Sequence, residues 1–196
     1  MARVSIKKAF MQDIVIKTSR PRLDAIFAPY VDTIGRDYPG YRNHVERTVT
    51  YAMHFLEGDP AAEPVVETAM AYHDIGLWTD RALAYLEPSE AVALADNASR
   101  AWGFDPDLLL GIIHWHHKVF PYRGPHARVI EACRRADWID ASMGWVRKGL
   151  PRRSIRAVED AFPNLGFHAA LVRLAKDIGG STLGGGIKVV RGIVKW

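Results

Sequence analysis

His73 and Asp74 stand side by side at the end of an apolar stretch, and both carry side chains that bind metal ions. The spacing of Val65, Val66, Ala69, Met70 and Tyr72 predicts a helix, and Gly76 follows where a helix runs out. An imidazole and a carboxylate at a buried helix end are costly unless something satisfies them, and a divalent cation does so. Two neighbouring ligands cannot close a coordination shell, so further donors must come from elsewhere in the chain. His44 is one candidate, set among Val45, Val49, Ala52 and Met53 on an amphipathic helix. Asp137 and Asp140 are others: three residues apart, they share one helical face, and either can serve.

A second group lies at His114, His116 and His117. The stripe Leu109, Ile112, Ile113 continues to His116, which therefore points inward, with His117 one step round. Lys118 and Arg123 follow in a Gly- and Pro-containing loop, where a cation can meet phosphate oxygens. Arg47, one turn beyond His44, lies within reach of the same place, whereas His54, His126 and His168 read as structural or surface groups. Imidazoles and carboxylates from several helices leave positions open on an ion, as catalysis requires. Such an ion acidifies a bound water and polarises a phosphoryl oxygen, so the chemistry expected is phosphate ester hydrolysis.

The ordered set His44, His73-Asp74-Ile75-Gly76 and Asp137 resembles the HD-domain superfamily of metal-dependent phosphohydrolases, over roughly residues 40–142. The resemblance implies an all-α helical bundle with its metal site between helices. Its metal ligands would be His44, His73, Asp74 and Asp137, the last preferred to Asp140 because it follows Arg134-Arg135-Ala136. The reaction expected is hydrolysis of a small phosphorylated molecule, a nucleotide among the options, with Asp74, His116, His117, Lys118 and Arg123 as the catalytic group; neither the metal set nor the resemblance names the substrate. The cofactor is a divalent ion, Mn, Fe, Co, Ni, Zn or Mg, bound singly or as a pair with Asp74 bridging. Two-metal relatives carry one more His before the His pair; this chain has none from 75 to 113, and Ser89 or Glu90 stands there. That departure weakens a two-metal site and with it the alternative of an HD-type di-iron oxygenase. A non-catalytic nucleotide-binding or regulatory module is the other alternative.

Helices must position these residues. Leu23 to Ile34 has helical spacing interrupted at Pro29, and Asp37 to Gly40 reads as a turn before the helix of His44, which runs to Leu56. The His-Asp helix covers about 62–75, and another starts with Ser89 as N-cap and runs to Trp102 before Gly103. Asp105-Pro106 caps the next, a long helix at about 126–144 brings Asp137 inward, and two more span 154–162 and 166–178. Residues 4–16 read as a short helix or extended arm, and 181–196 as a Gly-rich linker with an apolar and basic tail. Strand patterns are almost absent before that tail.

At 196 residues the chain suits one domain, taken here as 1–180, with an ordinary apolar share of 48%. No stretch reaches the ~20 apolar residues that cross a bilayer, and the N-terminus lacks the apolar run of a signal peptide, so a cytoplasmic protein is expected. Cys133, the lone cysteine, reads as a buried structural thiol. The net charge of +4 is concentrated near residues 1–22, 147–156 and 181–196, runs that read as solvated surface or as attractors of a phosphorylated molecule. A small phosphorylated substrate rather than nucleic acid is the expected partner, and self-association stays open.

Overall fold

Proline occupies the first or second position of four α-helices, at Pro21, Pro39, Pro64 and Pro106, where its missing N–H has no intrahelical acceptor to lose and its fixed φ already suits the helix. In the computed structural model, which describes residues 13–179, every regular element is helical. The expected arm at 4–16 falls mostly outside the described residues, and the linker and tail at 181–196 wholly so. Helix α1 (Pro21–Phe27) passes through a 3-10 turn at Pro29 into the short α2 (Val31–Ile34), the interruption that Pro29 predicts.

Asp37 to Gly40 is not a separate turn. Asp37 ends a 3-10 turn, while Tyr38, Pro39 and Gly40 are the first residues of α3 (Tyr38–Phe55), because a helix tolerates Pro and Gly in its first turn. Then come α4 (Glu63–Tyr72), α5 (Gly76–Thr79), α6 (Leu86–Ser99), α7 (Pro106–Trp115), α8 (Ala127–Ala141), α9 (Arg152–Ala161) and α10 (Phe167–Gly179). Ser89 is likewise not an N-cap. Helix α6 starts three residues earlier, and the Ser89 hydroxyl accepts instead from the Gly76 N–H at 2.9 Å. Asp105 is the cap expected of it, accepting from the Asp107 N–H at 3.0 Å.

Helix α3 lies against α8 and also touches α4, α9 and α10; α7 fills the space between α4, α6 and α8. Helix α3 is the central element: every residue from His44 to Met53 is buried, so it is enclosed on all sides and not on one face alone. One hydrophobic cluster runs from Leu23 to Leu174 and contains Cys133, whose thiol burial pushes up and out of the reactive range. Helices α7 and α8 meet so closely at Gly111 that a Cβ there would press on Ile130 Cδ1. Among the described residues no helix is long and apolar enough to cross a membrane.

The basic residues near the N-terminus divide. Arg20 is 2% exposed and donates to Glu46, Glu63 and Glu67 at 2.8, 3.0 and 2.9 Å, fastening the segment before α1 to α3 and α4. Lys17 joins through Glu63 at 2.7 Å. Arg20 is thus part of the framework and not solvated surface, whereas Lys17 pairs with Glu63 from an exposed position.

Candidate metal centre

Four elements deliver the candidate ligands. Helix α3 presents His44 from its middle, α4 stops at Tyr72 and leaves His73 and Asp74 in the turn after it, α7 stops just before His116, and α8 presents Asp137 and Asp140 one turn apart. All six side chains are buried. The Tyr41 hydroxyl holds the turn: it donates to the Ala71 carbonyl at 2.9 Å and accepts from the Asp74 N–H at 3.4 Å.

The ring nitrogens decide what the cluster can do. Nδ1 of His44 donates to Asp140 Oδ2, Nδ1 of His73 to the Met70 carbonyl and Nδ1 of His116 to the Ile113 carbonyl, each at 2.6 Å. A carbonyl or carboxylate oxygen only accepts, so each Nδ1 carries the hydrogen and each neutral ring turns its Nε2 lone pair inward. Nε2 of His44 and of His73 are 3.0 Å apart, and Asp137 Oδ1 stands 3.6 and 3.7 Å from them. Asp74 Oδ2 is 3.3 Å from His73 Nε2, and its Oδ1 is 3.4 Å from His116 Nε2 and accepts no hydrogen bond among the described residues.

Lone pairs and carboxylate oxygens so placed repel one another unless positive charge sits between them. Donors about 2.1 Å from a shared ion lie about 3.0 Å apart at neighbouring octahedral positions and about 3.4 Å apart at tetrahedral ones. The separations of 3.0 Å between His44 and His73 and 3.3 Å between His73 and Asp74 fit that requirement, and the donors of these three residues fall within 4.8 Å of one another; Asp137 stands outside that group, 3.6 and 3.7 Å from the two imidazoles.

The electrostatics point the same way. Burial works against charge on His73, yet Asp74 and Asp137 outweigh it and raise its pKa to about 9. Burial also opposes charge on Asp74, but His73 and His116 beside it hold its carboxyl well below the usual range. Burial raises Asp137 in spite of the three imidazoles, and lowers His44 in spite of Asp140. The cluster thus attracts cations, whether protons or a metal.

Asp140 differs from Asp137 in its partners. Arg47 Nε binds Asp140 Oδ1, Arg47 Nη2 donates to Oδ2 at 2.8 Å, and Oδ2 also takes the His44 hydrogen. Burial would raise Asp140, and those hydrogen bonds and charges reverse it, holding the group far below the carboxylate range. Asp140 therefore orients His44, while Asp137 faces the Nε2 atoms. Arg47 does not enter the cluster; its remaining fork reaches the Phe162 carbonyl at 2.8 Å. Phe167 stacks on the His44 ring with centroids 4.2 Å apart and an angle of 15°.

On the far side His117 Nδ1 lies 2.9 Å from His116 Nε2, and the Tyr85 hydroxyl lies 3.4 Å from each of those nitrogens. His114 instead meets Glu90 at 3.0 Å, outside the cluster. Lys118 is buried, and its carbonyl accepts from Arg134 and Trp138 at 2.9 and 3.0 Å. Arg123 is exposed on the loop and, among the described residues, has no ion pair with the cluster. Neither Ser89, bonded to Gly76, nor Glu90, bonded to His114, stands in for the absent histidine. Gly76 has a packing reason of its own, since a Cβ there would run into the Tyr85 carbonyl.

Of these residues, Tyr41 and Tyr85 carried no signal separable from core aromatics, and Asp140 stood only as the rival of Asp137. His54 is half-buried beside Phe55, His126 pairs with Asp105 at 3.0 Å, and His168 meets the Asp140 carbonyl at 3.0 Å. No protein-family model, curated protein or solved structure matches the chain.

Proposed function

We propose that the protein is a metal-dependent phosphohydrolase of the HD type, acting on a phosphate ester of a small molecule, with His44, His73, Asp74 and Asp137 holding a divalent cation. One observation carries the metal: inward Nε2 lone pairs, their Nδ1 hydrogens committed elsewhere, meet two buried carboxylates, Asp74 at a separation that suits a shared ion and Asp137 at 3.6 and 3.7 Å. The reaction class comes from the resemblance of the motif set. Two imidazoles with two carboxylates suit Mn, Fe, Co, Ni or Zn better than Mg, which takes mainly oxygen donors. When bound, such an ion supplies Lewis acidity to a phosphoryl group and acidity to a water.

The chain's own residues supply the rest. Asp140 fixes the His44 tautomer, and Met70 and Ile113 fix those of His73 and His116. The His116–His117 pair and the Tyr85 hydroxyl form a proton-holding group beside Asp74 Oδ1. Lys118 and Arg123, on the segment that follows, are the cations assigned to phosphate oxygens.

Purified protein is expected to contain a divalent metal and to release phosphate from nitrophenyl phosphate or from a member of a phosphorylated-metabolite panel. Asp74→Ala should abolish both. Absence of any bound ion after loading with each candidate metal ends this reading, and oxygen consumption with iron but no phosphate release replaces it with the di-iron oxygenase.

A further inference from the structure

We infer that the surface built by residues 143–156 binds single-stranded nucleic acid, with Trp145 as a stacking platform and Arg147, Arg152, Arg153 and Arg156 meeting phosphates. This surface begins just past Asp140 on the outside of the bundle, and the inference does not depend on the metal reading.

Trp145 is 84% exposed, and Met143 beside it is 62% exposed. An indole left so far in water has a cost in solubility, and a chain normally folds such a side chain inward. Here an ordered turn holds it out. The N–H groups of Met143 and Gly144 donate to the Asp140 and Ile139 carbonyls, both at 2.8 Å, and the Trp145 N–H donates to the Ser142 carbonyl at 3.1 Å. The Ser142 hydroxyl accepts from the Val146 N–H at 2.9 Å, and buried Leu150 anchors the far end. The main chain that carries Trp145 is thus held by hydrogen bonds and is not a loose loop.

The charges around it are distinctive in their density: Arg36, Arg81 and Arg123 also lack an ion pair among the described residues, but four such arginines fall within residues 147–156. Arg20, Arg42, Arg47, Arg100, Arg128, Arg134 and Arg173 all pair with carboxylates. Arg147, Arg152, Arg153 and Arg156 are exposed, and among the described residues none of them forms an ion pair. Residues 143–156 contain no acid. Lys148 is excluded from the count because its ammonium lies over the Trp138 ring, 5.4 Å from the centroid. Between the turn and α9 runs a shallow groove of about 130 Å³, with Met143, Trp145 and Ile155 on its apolar side and Arg152, Arg156 and one carboxylate, Glu159, on its charged side, where the two cations outnumber the acid. A sequence pI near 9.3 with four exposed arginines close together in the chain, two of them lining the groove beside Trp145, is the electrostatic footprint of a polyanion binder.

The observations favour nucleic acid over an anionic membrane. Only Trp145 and Met143 protrude, since Val146 is half-buried and Leu150 buried, so the loop offers a flat ring without the broad apolar face that interfacial insertion needs. The cations are arginines, whose planar forks grip phosphate oxygens in pairs and stack on bases. An indole platform also requires a base free of its own stack, which a single strand provides and a duplex does not.

The test uses the full chain and a fluorescein-labelled thymidine oligonucleotide of about 15 residues, read by anisotropy. Four phosphate contacts predict a slope of about −2.8 in log K against log salt, which is about a 50-fold loss between 50 and 200 mM salt. Trp145→Ala should weaken binding at least about fivefold while Trp145→Phe largely retains it. The triple variant Arg152→Gln, Arg153→Gln, Arg156→Gln should flatten the slope by about 2. Circular dichroism and metal content, unchanged in these surface variants, show that the fold is intact. The inference is overturned by no measurable binding, by affinity that neither variant alters, by preference for duplex, or by binding confined to phosphatidylserine vesicles.

Discussion

Asp140→Asn keeps the shape of the side chain and removes the charge that both Arg47 and His44 use. Arg47 is 2% exposed and Asp140 5% exposed, and two guanidinium nitrogens bind the carboxylate. Removing one partner of so buried a pair leaves a guanidinium without its counter-charge, at a cost of about 3–5 kcal/mol. For a chain of this size that corresponds to a Tm lower by about 6–20 °C. The same change weakens the hold on the His44 Nδ1 hydrogen, and loss of such an orienting partner lowers metal affinity by about 10–100-fold. The two effects can be separated. Arg47→Met combined with Asp140→Asn removes the stranded charge, so it should regain at least about 1 kcal/mol of stability over the single variant while metal affinity stays low. Urea denaturation gives the stability, and competition with a chromophoric chelator gives the affinity. The reasoning fails if Asp140→Asn binds metal within about twofold of the parent, or if the double variant is no more stable than the single one.

Three further outcomes are expected. Chelation should lower the Tm, because a metal at about 100 times its Kd adds about 2.7 kcal/mol, or about 5–11 °C here; a Tm indifferent to chelator and to added metal contradicts the site. Gly76→Ala drives a Cβ into the Tyr85 carbonyl and should cost about 1–3 kcal/mol by urea denaturation, with Gly103→Ala as a control that has open space but a φ of +67°. Stability should also depend on pH from both sides in metal-free protein. Asp140, Glu63 and Glu131 are held below their ordinary values, against the effect of burial, by Arg47 with His44, by Lys17 with Arg20, and by Arg134. Their contribution is complete above the unfolded carboxylate range, about pH 5, and is lost as pH falls through the lower folded values. His73 has the opposite sign: with its pKa raised from 6.5 to about 9, its contribution is complete below pH 6.5 and disappears as pH rises through 9. Thermal melts from pH 3 to 10 without metal should therefore peak between these limits, and a flat alkaline limb would contradict the charge assigned to His73.

Much of the helical pattern was readable because it depends on neighbours in the chain. Asp105-Pro106 starts α7 through a side chain two residues from the N–H it caps, and Pro29 breaks α1 from α2 through its own ring. Local rules misled where a distant partner claimed the same atom. Ser89 looked like a cap, but its hydroxyl is taken by Gly76, thirteen residues away. Arg20 looked like one of a solvated basic group, but carboxylates on α3 and α4 enclose it.

The candidate centre divides along the same line. Residue type and helical period marked His44 and His116 as inward-facing donors, because a side chain's direction round its own helix is a local property, and the end of an apolar helical stretch marked His73 and Asp74, which lie in the turn just past α4. Asp137 and Asp140 share a face, so no periodicity could separate them. That choice belongs to the packing of α3 on α8, which brings Arg47 and His44 Nδ1 to one carboxylate and leaves the other facing the Nε2 atoms. Which nitrogen carries a hydrogen, and so which way each lone pair points, depends on atoms brought close only by the fold.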